Sequence, residues 1–134
     1  MEFNQLTERE EYIGRKIVNA AYEVHKELGP GLLEKVYETC MTQVLREDKI
    51  IVVRQTLLPI SFKGVEYQDA LRLDLLVDDL VVCEIKATDT LNPVWQAQIL
   101  SHLKLSRKNL GYLINFNVPL IKHGIQRFIF NHKK

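Results

Sequence analysis

The chain has 134 residues, of which 46% are hydrophobic and 26% charged, with 18 Lys and Arg against 17 Asp and Glu. This length and composition predict one folded domain over residues 1–134 and exclude a disordered chain. No apolar run approaches the roughly 20 residues that cross a bilayer, and residues 1–5 lack the basic start of a signal peptide. Two cysteines, Cys40 and Cys83, are too few for a disulfide scaffold or a cysteine zinc site, so we expect a cytoplasmic protein with reduced thiols.

Two amphipathic helices are predicted at the start of the chain. Thr7 and Glu10 have the spacing of a capping box, and apolar residues then recur every three or four positions through residue 28. The Gly-Pro-Gly sequence at residues 29–31 ends this helix, because proline cannot continue its hydrogen-bond ladder and glycine accepts a left-handed cap. A second apolar stripe predicts a helix that ends near residue 47.

From Ile50 the pattern changes to short runs that are rich in strand-forming residues. Five short runs, at residues 50–53, 58–62, 65–67, 71–77 and 80–87, predict three or four strands before the next helix, and we take four, in the order α-α-β-β-β-β-α-β-β. Lys63-Gly64 suits a tight hairpin, and Asp78-Asp79 suits a turn. These strands therefore form an antiparallel meander.

A third helix is predicted to begin at Asn92-Pro93, with Asn92 as its N-cap, and to end near Arg107. Residues 110–116 predict a strand, and residues 125–130 predict a last strand or a short helix. The order of elements predicts a mixed α/β (α+β) domain in which one helix crosses over between strands.

The net charge of +1 conceals an uneven distribution along the chain. Residues 1–89 contain all 17 acids and 11 bases, a balance of −6, whereas residues 90–134 contain no acid and seven bases. The seven bases are Lys104, Arg107, Lys108, Lys122, Arg127, Lys133 and Lys134. Such a split often accompanies a polyanionic partner, although a fold that interleaves the two halves would neutralise it.

Three charged residues, Asp74, Glu84 and Lys86, stand within apolar strand sequence. Glu84 and Lys86 are two residues apart and therefore face the same side of a strand. Taken alone, they fit an ordinary ion pair on a half-exposed sheet. Asp74 adds a second carboxylate across a hairpin, and two carboxylates on adjacent strands can bind a hard cation such as Mg²⁺. Lys86 could then orient or deprotonate a water for attack on phosphorus.

This hypothesis sets a condition on the loop between the two strands. With a two-residue turn at Asp78-Asp79, position 74 would face position 83, and Asp74 would point away from Glu84. The two carboxylates can point to the same face of the sheet only if the connection has an odd number of residues, such as three, or contains a bulge. We therefore predict a wide or bulged connection between residues 77 and 80.

The sequence around these residues resembles the PD-(D/E)xK nuclease superfamily, whose Asp…Glu-x-Lys motif lies after a first helix and before a crossover helix. Residues 31–37, GLLEKVY, match the G-x-x-E-x-x-Y motif of a bacterial branch, the GxxExxY proteins. The Lys63-Gly64 hairpin, residues 97–100 and residues 111–116 are also similar to that branch. The resemblance covers roughly residues 10–130 in matching order.

This resemblance implies a restriction-endonuclease-like core, with a central mixed β-sheet flanked by helices. It implies that Asp74 and Glu84 are metal ligands for Mg²⁺ or Mn²⁺ and that the Ile85 backbone carbonyl is a third ligand. It also implies that Lys86 is the catalytic lysine.

Further roles are implied by the resemblance alone. Glu34 would bind metal through water or support the site, and Gln98 would belong to the catalytic set. On their own, both fit ordinary exposed helix residues. His102 stands where related sequences have tyrosine, and no histidine of the chain has the spacing of a metal ligand. For Trp95, packing is favoured over base stacking.

The leading functional hypothesis is a metal-dependent phosphodiester hydrolase acting on DNA or RNA, with bases from residues 104–134 holding the phosphate backbone. The alternative is a non-catalytic nucleic-acid- or protein-interaction module that retains the fold. A third hypothesis is an oligomeric α/β protein whose carboxylates only satisfy an ion-pair network. Besides nucleic acid, the predicted partners are a second copy of the chain or another protein.

Overall fold

Two helices, three strands, a third helix and two further strands follow one another along residues 6–132, the part of the chain that the computed structural model describes. The elements are α1 Glu8–Leu28, α2 Glu34–Glu47, β1 Val52–Phe62, β2 Val65–Val77, β3 Val81–Lys86, α3 Val94–Ser106, β4 Leu110–Asn115 and β5 Ile125–Ile129, with a 3-10 turn at Ile121–His123. The predictions made for residues 1–5 and for Lys133 and Lys134 lie outside the described residues. Within the described part, no helix has the length and apolar character needed to cross a bilayer.

The five strands form one mixed sheet in the order β1-β2-β3-β4-β5. β3 and β4 are parallel and are joined through α3, whereas the other neighbouring pairs are antiparallel. A large apolar cluster contains residues from α1, α2 and one face of the sheet, and a smaller cluster packs Leu103 of α3 against the other face. The predicted α/β fold class, a central mixed sheet flanked by helices, is confirmed.

The strand count before α3 is a correction, because the structure has three strands there rather than four. The runs separated in the prediction are joined into two long strands, β1 and β2, which pair along their whole length with one register shift between Leu58 and Ile60. The polar residues that interrupted the hydrophobic pattern lie in a hairpin that is exposed beyond the core. Pro59 is accommodated because β1 is the edge strand of the sheet formed by the described residues, with no strand of that part of the chain on its outer side.

Several predicted helix and turn signals are confirmed. The Thr7 hydroxyl accepts the Glu10 N–H at 3.0 Å, and the Thr7 N–H donates to the Glu10 carboxylate at 2.8 Å, which completes the capping box. Asn92 Oδ1 accepts the Val94 N–H at 3.0 Å, although α3 begins one residue later than predicted. Residues 125–129 form a strand rather than a helix.

The fold interleaves the acidic and basic parts of the chain. Arg127 of β5 forms an ion pair with Glu11 of α1 at 2.8 Å, and Lys108 pairs with Asp79 at 3.3 Å. Two of the seven late bases are therefore already paired with acids from the first part of the chain. The charge split is weaker evidence for a polyanionic partner than the sequence suggested.

Candidate metal centre

The β2–β3 connection has three residues, 78–80, between the paired ends Val77 and Val81. Asp78 and Asp79 both have positive φ, at 56° and 53°, which aspartate tolerates better than most residues in a turn. The same register pairs Leu75 with Cys83 and therefore places Asp74 opposite Glu84. The predicted wide connection is confirmed, and both carboxylates lie on one face of the sheet.

Each of the two carboxylates accepts a backbone hydrogen bond from the neighbouring strand. The Asp74 N–H donates to Glu84 Oε2 at 3.1 Å, and the Ile85 N–H donates to Asp74 Oδ2 at 2.9 Å. Regular β2–β3 pairing ends just before this point, at Leu75 and Cys83. Where β2 and β3 begin to separate, side-chain oxygens thus accept the backbone N–H groups in place of strand carbonyls. Both carboxylates are buried there, with Asp74 8% and Glu84 5% exposed.

The carboxylates share the face of the sheet that α3 covers. Glu84 alternates with Cys83 and Ile85, which belong to the large cluster on the opposite face. Gly111 of β4 marks the close approach of α3, since a Cβ atom there would lie 3.1 Å from Leu103 and 3.2 Å from Ile99. The candidate centre therefore lies between the sheet and α3.

Lys86 lies two residues after Glu84 at the end of β3 and is half-buried. Its ammonium forms no ion pair or hydrogen bond with any described residue. Instead, its Nζ atom lies 5.2 Å from the centroid of the Trp95 ring, which is within the range of a cation–π interaction. The Lys86 ammonium therefore has no ion-pair partner among the described residues.

The residues of the G-x-x-E-x-x-Y motif form a braced loop that begins α2. Gly31 has a φ of 98°, a conformation that favours glycine. The Tyr37 hydroxyl donates to the Gly29 carbonyl at 2.6 Å and accepts the Leu32 N–H at 3.1 Å, while its ring stacks on Phe116. Glu34 is the first residue of α2, so the conformation of this loop fixes the position of the Glu34 side chain.

Glu34 interacts electrostatically with the charged residues of the centre. Partial burial raises the pKa of the Glu34 carboxyl, the Lys86 charge opposes this, and the charges of Asp74, Glu38 and Glu84 raise the pKa further. The structure therefore brings Glu34 near the carboxylate pair. It shows no hydrogen bond between them.

Gln98 is exposed, and its side chain makes no hydrogen bond with the described residues. It lies one helical turn before His102 and therefore on the same side of α3. Gln98 thus shares the side of α3 that carries His102, and it forms no hydrogen bond with the carboxylates among the described residues. Its catalytic role stays a prediction.

Sequence reasoning missed Glu38 and gave His102 no role at the centre. Glu38, one turn after Glu34, is buried and accepts hydrogen bonds from Arg54 Nε at 3.1 Å and Gln55 Nε2 at 2.7 Å. His102 is buried with Nδ1 at 3.8 Å from Glu84 Oε2, and that nitrogen has no hydrogen-bond partner among the described residues. The four-residue spacing of Glu38 from Glu34, and of His102 from the predicted Gln98, was the available signal.

The chemistry of the centre fits a divalent cation. Burial raises the pKa of the Glu84 carboxyl, the charge of Asp74 raises it further, and His102 opposes the shift. Asp74 Oδ1 and Glu84 Oε1 accept no hydrogen bond from the described residues, so each carboxylate keeps one oxygen for a ligand. A hard cation would neutralise two buried like charges through these oxygens.

The side chains alone do not complete a metal site. Among the described residues, no group of three or more His, Cys, Asp and Glu side chains is arranged to hold an ion. The Ile85 N–H points toward Asp74, and the N–H and C=O of one strand residue point to the same side. We therefore expect the Ile85 carbonyl to face Asp74 as well, which is consistent with the ligand set implied by the resemblance.

The mixed sheet, its flanking helices and the Asp74, Glu84 and Lys86 arrangement define a nuclease-like class of protein. A model of the PD-(D/E)XK nuclease superfamily matches residues 11–128. The chain therefore belongs to the PD-(D/E)XK nuclease superfamily. No significant match is found among curated proteins or solved structures.

Proposed function

We propose that this protein is a metal-dependent phosphodiester hydrolase that acts on nucleic acid. The observation that supports this best is the placement of two buried carboxylates, Asp74 and Glu84, opposite each other where β2 and β3 separate. Such a pair is unfavourable without a counter-charge, and Lys86 lies only two residues from it. We also propose that residues 1–134 form one nuclease-like domain.

The proposed metal ligands are Asp74, Glu84 and the Ile85 carbonyl, with Mg²⁺ or Mn²⁺ as the ion. When bound, the ion would lower the pKa of a water and stabilise charge that develops on the phosphate. Lys86 would orient that water through its ammonium, which forms no ion pair with a described carboxylate, or, as the neutral amine, would accept its proton. Glu34 would support the site or bind through water, and Gln98 would contact the substrate from α3.

We assign the chain to the GxxExxY branch of the superfamily as part of this proposal. Support comes from the distinct structural role of each motif residue. Gly31 takes the positive-φ turn, Glu34 begins α2 beside the centre, and Tyr37 ties the loop to the core. The cytoplasmic location stays a prediction.

The test is a titration with Mg²⁺ and Mn²⁺ by calorimetry, beside cleavage assays on single-stranded, duplex and branched DNA and on RNA. Lys86→Ala should abolish cleavage and leave folding and metal binding largely intact. Asp74→Ala should lose both, because it removes a ligand. Lys63→Ala is the matched control, since Lys63 also lies over an aromatic ring, 5.5 Å from the Phe62 centroid, but at an exposed hairpin turn.

Three results would decide between the hypotheses. Cleavage that requires metal and Lys86 supports the hydrolase. Nucleic-acid binding without cleavage by the wild-type protein would favour the non-catalytic module. No binding of either ion at millimolar concentration would overturn the proposed enzyme.

A further inference from the structure

A cavity of about 240 Å³ lies beside the first turn of α3 and is lined by uncharged residues. Three of them carry amides, Asn92, Gln96 and Gln126, and the walls include Leu91, Trp95 and Leu113. The site proposed above does not use this cavity. Its lining combines apolar surface with groups that both donate and accept hydrogen bonds.

The sheet register places this cavity next to the carboxylate pair. Glu84 lies beside Leu113 in the parallel β3–β4 pair, and Leu113 lies opposite Gln126 in the β4–β5 pair. Asp74, Glu84, Leu113 and Gln126 thus form one row across four neighbouring strands on the face that α3 covers. Because adjacent strands are about 4.8 Å apart, Leu113 is one strand spacing from Glu84, and Gln126 is two.

Trp95 links the cavity to Lys86. It forms part of the cavity wall, and the Lys86 ammonium lies 5.2 Å from its ring centroid. Its position follows from the start of α3, where the Trp95 N–H donates to the Asn92 carbonyl at 3.0 Å. A group that entered the cavity would therefore contact the same indole as Lys86 does.

A nucleobase has the chemistry that this lining would recognise. Its faces are flat and stack on aromatic rings, and its edges present donors and acceptors that asparagine and glutamine amides can match. The side chains of Gln96 and Gln126 make no hydrogen bond with the described residues, so both amides are available to a ligand. The absence of charge in the lining disfavours a phosphate there, whereas the adjacent carboxylate pair suits a metal-bound phosphate.

We propose that this cavity binds an unpaired base of the nucleotide beside the cleaved phosphodiester, so that the substrate is single-stranded or has an unpaired end or loop. This inference rests on the proposed function. A base held in a duplex cannot enter the cavity without leaving its stack. Because a paired base cannot enter, the proposed substrate is single-stranded or has an unpaired end or loop.

The binding test uses the tryptophan itself, since Trp95 is the only tryptophan in the chain. Wild-type protein in EDTA is titrated with a single-stranded oligonucleotide, the same strand with abasic positions, and the matching duplex. The single strand should quench Trp95 fluorescence, and the abasic strand and the duplex should bind about tenfold more weakly. Equal binding of the intact and abasic strands would overturn the proposal.

Variants of the lining test the cavity directly. Trp95→Ala should weaken single-strand binding, measured by anisotropy of a labelled oligonucleotide, about tenfold, and Trp95→Phe should restore most of it. Gln126→Ala should weaken it severalfold, whereas Gln43→Ala, an exposed glutamine on α2, should not. Unchanged affinity in both Trp95→Ala and Gln126→Ala would overturn the proposal.

Cleavage assays separate this inference from the proposed function. If wild-type protein cleaves with metal and Trp95→Ala raises KM for single strands but not the metal requirement, both proposals stand. If Trp95→Ala cleaves every substrate as the wild type does, the cavity proposal fails and the hydrolase stands. If the wild type never cleaves but binds single strands through Trp95, base binding in the cavity stands, and the hydrolase fails together with the placement of that base beside a cleaved phosphodiester.

Discussion

Asp74 and Glu84 are joined by a direct hydrogen bond, in which the Asp74 backbone N–H donates to Glu84 Oε2 at 3.1 Å. Because the Ile85 N–H donates in turn to Asp74 Oδ2, the backbone holds both carboxylates in place before any ligand binds. Two buried acids fixed in this way repel each other and have lost much of their hydration. The centre is therefore a local source of instability that a cation would relieve.

Glu84→Gln should stabilise the metal-free protein at neutral pH. The folded state raises the pKa of Glu84, so stability falls as the pH rises from the ordinary value of 4.5 through the raised folded value. The amide carries no charge and can still accept the Asp74 N–H. We expect a gain of about 1 kcal/mol, or about 4 °C in Tm, at pH 7.5 in EDTA, and little change at pH 4, by circular dichroism.

The matched control for that change is Glu27→Gln, an exposed substitution on α1, which should alter Tm little at either pH. Added Mn²⁺ should raise the Tm of the wild-type protein at pH 7.5 more than that of Glu84→Gln, because the variant has lost a ligand. A lower Tm for Glu84→Gln than for the wild type in EDTA at pH 7.5 would contradict the argument.

Tyr37→Phe should destabilise the protein by about 1–3 kcal/mol, measured by urea unfolding. The change removes one hydroxyl and leaves the Gly29 carbonyl and the Leu32 N–H without their partner, while ring stacking on Phe116 is kept. Tyr67→Phe is the control, because Tyr67 is 49% exposed on the hairpin and should change stability by less than about 0.5 kcal/mol. Equal effects of the two changes would disprove the bracing role.

Arg54→Met should cost about 2 kcal/mol, because it leaves the nearly buried Glu38 carboxylate with only Gln55 as a partner. Arg9→Met breaks a more exposed pair with Asp78, in which the arginine side chain is 53% exposed, and should cost much less than Arg54→Met. Unfolding by urea at pH 7 compares the two directly. An Arg9 effect as large as that of Arg54 would contradict the assignment of Glu38 to a buried network.

Asn115→Ala should loosen the segment between β3 and α3. The Asn115 side chain accepts the Thr88 and Asn117 N–H groups at 3.2 and 3.1 Å and donates to the Thr88 carbonyl at 3.1 Å. We expect faster amide exchange in residues 87–92 and a loss of about 2 kcal/mol. Asn19→Ala, an exposed change on α1, is the control and should leave that exchange unchanged.

Local patterns in the sequence predicted much of the fold. The capping box at Thr7, the Lys63-Gly64 hairpin and the start of α3 near Asn92 depend on residues within a few positions of one another, and each is present. The sequence also predicted that the connection after Val77 needs an odd number of residues to bring the two carboxylates together, because side chains alternate along a strand. The division of β1 and β2 into shorter strands was wrong, since polar residues in an exposed hairpin remove the hydrophobic signal without ending the pairing.

By itself, the sequence predicted the element types up to residue 116, the mixed fold class and the loop length on which the pairing of Asp74 with Glu84 depends, because short-range spacing controls each of these. Only the tertiary structure decided that His102 lies beside Glu84, that Glu38 pairs with Arg54, that Lys86 lies over Trp95, and that late bases pair with early acids. These relations join residues from different elements. Packing of α3 and α2 on the sheet creates them, and no local period encodes that packing.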